Sequence, residues 1–216
     1  MKRTRTLCIL SVIFNLANAI LVACAVGSFF FSGGSGNMDD ARFGCFRYFT
    51  IDSNVLAALT SIILIPCLIR AARGKSVPAW ADRLKFVGTT AAAVTFVTVV
   101  LFLGPTQGYV QMFSGAAFPL HLVCPLLSVI SFCFFDSPRR VTFGETLLGV
   151  IPTAVYGALY FVMVIVIGEA NGGWIDFYGF DRSGMRYVSI AAMLIGTWAI
   201  ALVLRALRNI PAKKMN

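Results

Sequence analysis

Six apolar runs of about 20 residues, separated by short basic or aromatic loops, decide what this chain can fold into. A bilayer's hydrocarbon core is about 30 Å thick and a helix rises about 1.5 Å per residue, so each run crosses once. The runs fall at about 7–31, 49–69, 84–103, 116–135, 146–167 and 187–206, each boundary good to about 2–4 residues. Composition agrees. The chain has 216 residues, 58% hydrophobic and only 12% charged, against about 25% charged in an ordinary soluble domain. A soluble protein of this size could not hide so much apolar surface. The sequence therefore predicts an all-α integral membrane bundle of six transmembrane helices, forming one domain over 1–216. No internal repeat, low-complexity tract or long linker divides it.

Basic residues set the predicted orientation. Lys2, Arg3, Arg5, Arg70, Arg73, Lys75, Arg83, Lys85, Arg139, Arg140, Arg205, Arg208, Lys213 and Lys214 fall on one side, fourteen in all; Arg42, Arg47, Arg182 and Arg186 fall on the other. The excess predicts that both termini are cytoplasmic, in a cell membrane. The net charge of +9 is then an orientation signal, and no basic, aromatic surface of a nucleic-acid binder is present. The fifth loop, EANGGWIDFYGFDRSGMRY, faces outward and is rich in aromatic residues and glycine. It reads either as an aromatic belt at the interface or as a lid over a site.

The six cysteines do not form a disulfide framework. Cys8, Cys24, Cys67, Cys124 and Cys133 fall within the runs as small apolar packers, and Cys45 lies in an outer loop. MKRTR followed by an apolar run resembles a signal peptide, and Leu21-Val22-Ala23-Cys24 resembles a lipoprotein cleavage box. The run continues past Cys24, and Asn15 and Asn18 interrupt it, which favours a signal-anchor first helix.

Polar side chains inside a bilayer are expensive and mark candidate sites. Asn15 and Asn18 lie midway along the first run. Thr50, Asp52, Ser53 and Asn54 open the second, and His121, the single histidine, lies in the outer half of the fourth. Thr50, Ser53 and Asn54 share a helix face, while Asp52 points elsewhere. His121 and the Thr50–Asn54 group are each within roughly 8 Å of the outer boundary, so they are level. A histidine is suited to remove the proton of a threonine hydroxyl. Equally, Thr50 could bond its own backbone and His121 a neighbouring helix. Asp52 could orient the base, carry a proton in a transporter, or pair with Arg47.

Several chemistries lack their residues. One histidine cannot make a three-histidine zinc site, and no Cys–His cluster has ligand spacing, so no metal or other cofactor is expected. GGSG at 33–36 has no following GK[ST] pattern, and there is no GxSxG elbow.

The stretch RYFTIDSN resembles a signature of a bacterial family of six-pass membrane proteins, in which an FTxxSN-like element opens the second helix. HLVCPLLSVISFCFFD matches a second element, Arg-Val-Thr-Phe at 140–143 with Pro152 and Tyr156 a third, and GFDRSGMRY a fourth, together spanning about 40–210. That family is distantly similar to the eukaryotic androgen-induced and androgen-dependent TFPI-regulating membrane proteins. Those are threonine hydrolases acting on fatty acid esters of hydroxy fatty acids. The resemblance implies that Thr50 and His121 are the catalytic pair. Asp52 and the Ser53-Asn54 pair depart from the eukaryotic neighbourhood and leave the substrate open.

The expectation is an intramembrane hydrolase that takes a lipid ester from the outer leaflet. Thr50 would be its nucleophile and His121 its base, with Ser53 and Asn54 as oxyanion donors and Asn15 and Asn18 lining the same cavity. The alternatives are a small transporter or channel with Asp52 as its ion or proton site, and a non-catalytic lipid-binding protein. A continuous polar route to the inner surface would favour transport.

Overall fold

A backbone in lipid has to satisfy its own N–H and C=O groups, so each apolar run folds as a helix. A computed structural model of the protein describes residues 5–31, 42–181 and 184–214, with side chains to 210. The helices are α1 (Arg5–Phe31), α2 (Phe49–Ala72), α3 (Ala79–Gln107), α4 (Pro119–Phe135), α5 (Gly144–Ile167) and α6 (Arg186–Lys214). Among the described residues five of these, all but α4, are long and apolar enough to cross a membrane. The protein is therefore a multi-pass membrane protein. Helix α4 has 17 residues, about 26 Å at 1.5 Å per residue. It packs against α1, α3 and α6. The stretch 33–36 and the charges Lys2, Arg3 and Arg182 lie outside the described residues, as do the side chains of Lys213 and Lys214. Cys24 sits inside the unbroken helix α1.

Helices α1 to α4 make the core. The most apolar stretch of α3 is 56% buried, while those of α5 and α6 are 17% buried, so these two pack on the outside. Small residues allow a close contact between α2 and α3. A Cβ at Gly88 would collide with Thr60 Oγ1 and lie 3.1 Å from Ala57 Cα and 3.2 Å from the Leu56 carbonyl oxygen. Apolar attraction between helices is weak in lipid, and backbone approach of this kind supplies packing in its place.

Two expectations about charge change. Lys85 was expected in a loop, but α3 begins at Ala79, after Pro78 in an extended conformation. Lys85 is thereby drawn inside the bundle. Arg208 was expected in a terminal tail, but α6 runs on past 206 and carries it into the interior. Both count as loop residues when charge is read alone, because a buried partner is invisible to such a count.

Asp82 is 0% exposed and takes Arg208 at 2.8 Å and Arg139 at 2.9 Å. Arg208, 2% exposed, also donates to the carbonyls of Phe132 and Arg139 and lies over the Phe132 ring. Arg139 reaches Glu145 at 2.9 Å, and Asn209 pairs with both backbone groups of Val141 at 3.0 Å. This cluster ties the ends of α3, α4, α5 and α6 together. Arg208→Leu leaves Asp82 with a single, partly exposed partner. It is expected to lower unfolding free energy in detergent by about 3 kcal/mol. Arg83→Ala removes a half-exposed partner of Glu145 and should cost less than about 1 kcal/mol. Equal effects in an SDS-titration unfolding assay would contradict this account of the cluster.

Candidate functional site

Pro125 shapes the site before any catalytic side chain is considered. Residues Pro119–Val123 form a widened π turn, in which the Cys124 N–H bonds the Pro119 carbonyl five residues back. In the same register the Leu120 carbonyl would need the N–H of residue 125, which proline lacks. Asn54 of α2 supplies the missing donor, its Nδ2 lying 2.9 Å from the Leu120 oxygen. The same amide donates to the Thr50 carbonyl at 2.7 Å. One side chain thus clamps the first turn of α2 to the widened turn of α4, next to His121. Wide turns of this kind recur at functional sites.

Thr50 and His121 come together across that clamp. Thr50 Oγ1 and His121 Nε2 are 3.3 Å apart, with the residues 6% and 4% exposed. His121 Nδ1 is 2.6 Å from the Met112 carbonyl oxygen. A carbonyl only accepts, so Nδ1 carries the proton, and in the neutral ring Nε2 holds a lone pair facing the Thr50 hydroxyl. Thr50 therefore donates to Nε2. The order is hydroxyl, imidazole, orienting acceptor, with a backbone carbonyl in the third position. Gly108, at φ 95°, lets the chain reverse after α3 so that the single helical turn Tyr109–Met112 reaches back to His121.

Ser53 and Asn54 stand beside the pair but are committed elsewhere. Ser53 Oγ bonds Thr95 Oγ1 at 2.7 Å and the Thr50 carbonyl at 3.2 Å, and both donors of Asn54 go to backbone carbonyls. Neither presents a free donor to an oxyanion in this arrangement. In the first turn of α2 the Phe49 N–H goes to the Tyr178 hydroxyl, and those of Ile51 and Asp52 go to the Tyr48 carbonyl. The Thr50 N–H takes none of these acceptors.

The aromatic loop covers this end of α2. The Tyr156 hydroxyl donates to the Arg47 carbonyl at 2.6 Å, and the Phe49 ring packs on Tyr156. The Arg47 guanidinium lies over Tyr48 and Phe177. Tyr160 accepts from the Tyr178 N–H and donates to Asp176, bracing the loop from below. Packing among these rings raises the pKa of the Tyr178 hydroxyl above its ordinary value, so it stays protonated. A cavity of about 470 Å³ lies between Val164, Glu169, Trp174 and Asp176 of this region. It does not include Thr50 or His121.

Asn15 and Asn18 do not join the Thr50–His121 pair. They belong to a second polar cluster toward the end of the bundle that carries residue 5. Asn15 Nδ2 donates to Ser131 at 2.9 Å and to Asp136 at 2.8 Å, and Ser11 and Ser131 also donate to Asp136. Asn18 Nδ2 is 3.4 Å from Ser61. Lys85, 0% exposed, donates to Ser61 at 2.7 Å and to Ser128 at 3.2 Å. Ala19, Val22, Ala58 and Cys124 form an apolar layer between the two clusters. Asp52 neither touches His121, whose other nitrogen is taken by Met112, nor pairs with Arg47.

The sequence reading missed Lys85, Ser61, Ser128, Ser131 and Asp136. Lys85 carried the one available signal, a lysine six residues past the start of a helix that begins after Pro78. Comparison with protein-family models, with curated proteins and with solved structures gave no match to this chain, so the site is read from its own geometry.

The clamp is testable. Asn54→Leu leaves the Leu120 carbonyl buried without a donor. It should lower stability by about 1–3 kcal/mol in a thermal-unfolding assay. Asn54→Gln, which keeps the donors on a longer arm, should recover part of the loss. A melting temperature unchanged in Asn54→Leu would show that the clamp is not needed.

Proposed function

We propose that this chain is an intramembrane hydrolase of lipid esters, with Thr50 as nucleophile and His121 as general base. One observation carries the reading: the Thr50 hydroxyl faces the lone pair of an imidazole whose other nitrogen is fixed by the Met112 carbonyl. The resemblance of RYFTIDSN and HLVCPLLSVISFCFFD to the six-pass family supports the same roles.

His121 Nε2 takes the hydroxyl proton as Oγ1 attacks the ester carbonyl. The negative charge that develops on the carbonyl oxygen falls near the N-terminus of α2, where the Thr50 N–H and the positive end of the helix dipole oppose it. The tetrahedral adduct collapses, the C–O bond to the alcohol breaks, and His121 returns its proton to the departing alcohol. Water then attacks the acyl-threonine with His121 again as base, releasing the fatty acid and restoring Thr50. The pair is nearly closed in this structure, so the ester enters when the aromatic loop or the 104–118 segment moves. Fatty acid esters of hydroxy fatty acids are the substrate class the resemblance implies.

In this reading α4 is a sixth span. Both termini then lie on the cytoplasmic side of the cell membrane, and the Thr50–His121 pair faces the outer leaflet. The excess of basic residues on one side and the alternation of the helices support it. Transport is less well supported. Its polar route would have to pass the layer of Ala19, Val22, Ala58 and Cys124, where α2 offers only Ala57, Ala58 and a Thr60 bonded to its own backbone.

The test is stoichiometric labelling by a lipophilic fluorophosphonate, read by intact mass. Wild type should gain one adduct, on Thr50. Thr50→Ala should gain none, Thr50→Ser should keep it, and His121→Ala should slow labelling by about 10²–10⁴-fold. Equal labelling of wild type and Thr50→Ala, or none in folded wild type, would sink the reading. Reporter fusions at both ends should report the cytoplasmic side; an external C-terminus would remove one span from the count.

A further inference from the structure

Every described acid at the end of the bundle that carries residue 5 is buried and committed. Asp82 and Asp136 are 0% exposed and Glu145 is 9% exposed. Asp82 takes Arg208 and Arg139, and Glu145 takes Arg83 and Arg139. Asp136 accepts from Ser11, Asn15 and Ser131. None is left to face outward. The same end carries cations at the corner where α1 begins and α2 ends. Arg5, Arg70, Arg73 and Lys75 are exposed, and among the described residues their side chains have no hydrogen-bond or ion-pair partner.

Local geometry gathers these charges. Gly74, at φ 88°, ends α2 in a left-handed turn that suits glycine. The turn brings the Lys75 N–H back to the Arg70 carbonyl at 3.2 Å, and the Arg73 N–H bonds the same oxygen at 3.1 Å. Arg70, Arg73 and Lys75 therefore stand on one turn. Arg5 joins them from α1. Val12 packs with Leu64, Cys67 and Leu68 of α2. Arg5 lies about 10 Å beyond Val12 along α1, and Arg70 and Arg73 lie about 5–10 Å beyond the same contact along α2, so they are nearly level. The negative end of the α2 dipole offsets only part of their mutual repulsion.

The level is that of lipid headgroups. Ile9, one turn inward from Arg5, and Ile69, beside Arg70, are 48% and 44% exposed and present aliphatic surface to lipid. Trp80 follows the turn and is 54% exposed, as suits a tryptophan at the membrane–water interface. Uncompensated positive charge directly above aliphatic surface matches a molecule that joins a phosphate to acyl chains.

We propose that the corner formed by Arg5, Arg70, Arg73 and Lys75 binds an anionic phospholipid, its phosphate among the cations and its acyl chains along Ile9 and Ile69. Arginine grips a phosphate through paired N–H bonds, and a zwitterionic lipid weakens that grip by bringing its own ammonium. Each basic residue at a membrane surface adds about fivefold to the affinity for anionic lipid. The corner lies about 30 Å from Thr50 along α2, and neither Thr50 nor His121 takes part.

Native mass spectrometry tests it. The protein in detergent is offered equimolar phosphatidylglycerol and phosphatidylcholine with the same acyl chains, and bound lipid is counted. Wild type should prefer phosphatidylglycerol by about tenfold or more. Lys75→Gln should lower the preference about fivefold, and Arg70→Gln with Arg73→Gln should bring it to parity, in protein that melts like wild type without added lipid. Raising salt from about 0.1 M to 1 M should weaken the preference of wild type. Arg140→Gln, which removes an exposed cation beside Val141 at the same end of the bundle, should keep it. Equal binding of the two lipids by wild type, a preference that the double variant keeps, or one lost equally in Arg140→Gln overturns the assignment.

Discussion

The bond from Asn54 to the Leu120 carbonyl holds α2 against α4 at the level where Thr50 meets His121. It exists because Pro125 has no N–H to give to that carbonyl in the widened turn. A helix in lipid cannot turn to water for a missing donor, so a neighbouring helix has to supply one. The defect in one helix thereby becomes the register between two. Remove the proline in thought, and Leu120 would be satisfied within α4; the amide of Asn54 would then have no reason to cross. The placement of the single histidine in the π turn follows from the same constraint.

Polarity inside the bundle is layered. One layer holds Thr50, Ser53, Asn54, Thr95 and His121; the other holds Ser11, Asn15, Asn18, Ser61, Lys85, Ser128, Ser131 and Asp136. Below the second layer Asp82, Arg139, Glu145 and Arg208 close the end of the bundle. Hydroxyls separate Lys85 from the carboxylate of Asp136, so the charges are solvated by side chains in place of water. The small residues between the layers keep the helices close. Gly88 against Thr60 shows how little room remains there.

The order of the helices was legible in the apolar runs, as were the approximate bounds of α1, α2, α4 and α5, while α3 and α6 run nine residues longer than the 20 expected. The level of Thr50 and His121 was legible because depth is counted along each helix. Their contact was not, because it depends on rotation about the helix axes. That rotation is set by Asn54 and Pro125 acting across two helices. The ends of α3 and α6 were misread because a charge looks like a loop until its partner is known. Asp82 and Arg208 are 126 residues apart in sequence, and neither marks the other. Asn15 and Asn18 were seen as costly, correctly, but their company was not visible; Ser131 and Asp136 lie on a helix end that the apolar pattern alone cannot rotate.

The group that orients His121 belongs to the main chain. A carbonyl oxygen is present whatever side chain follows it, so the buried Met112 side chain bears on the imidazole only through the packing that holds the turn in place. What cannot vary freely is the path that delivers it: the reversal at Gly108, the single turn to Met112, and the distance onward to Pro119. Constraint at this point of the molecule falls on loop length and curvature more than on residue identity. Insertion or deletion of a residue between 108 and 119 would unseat the imidazole while leaving every polar side chain of the site in place.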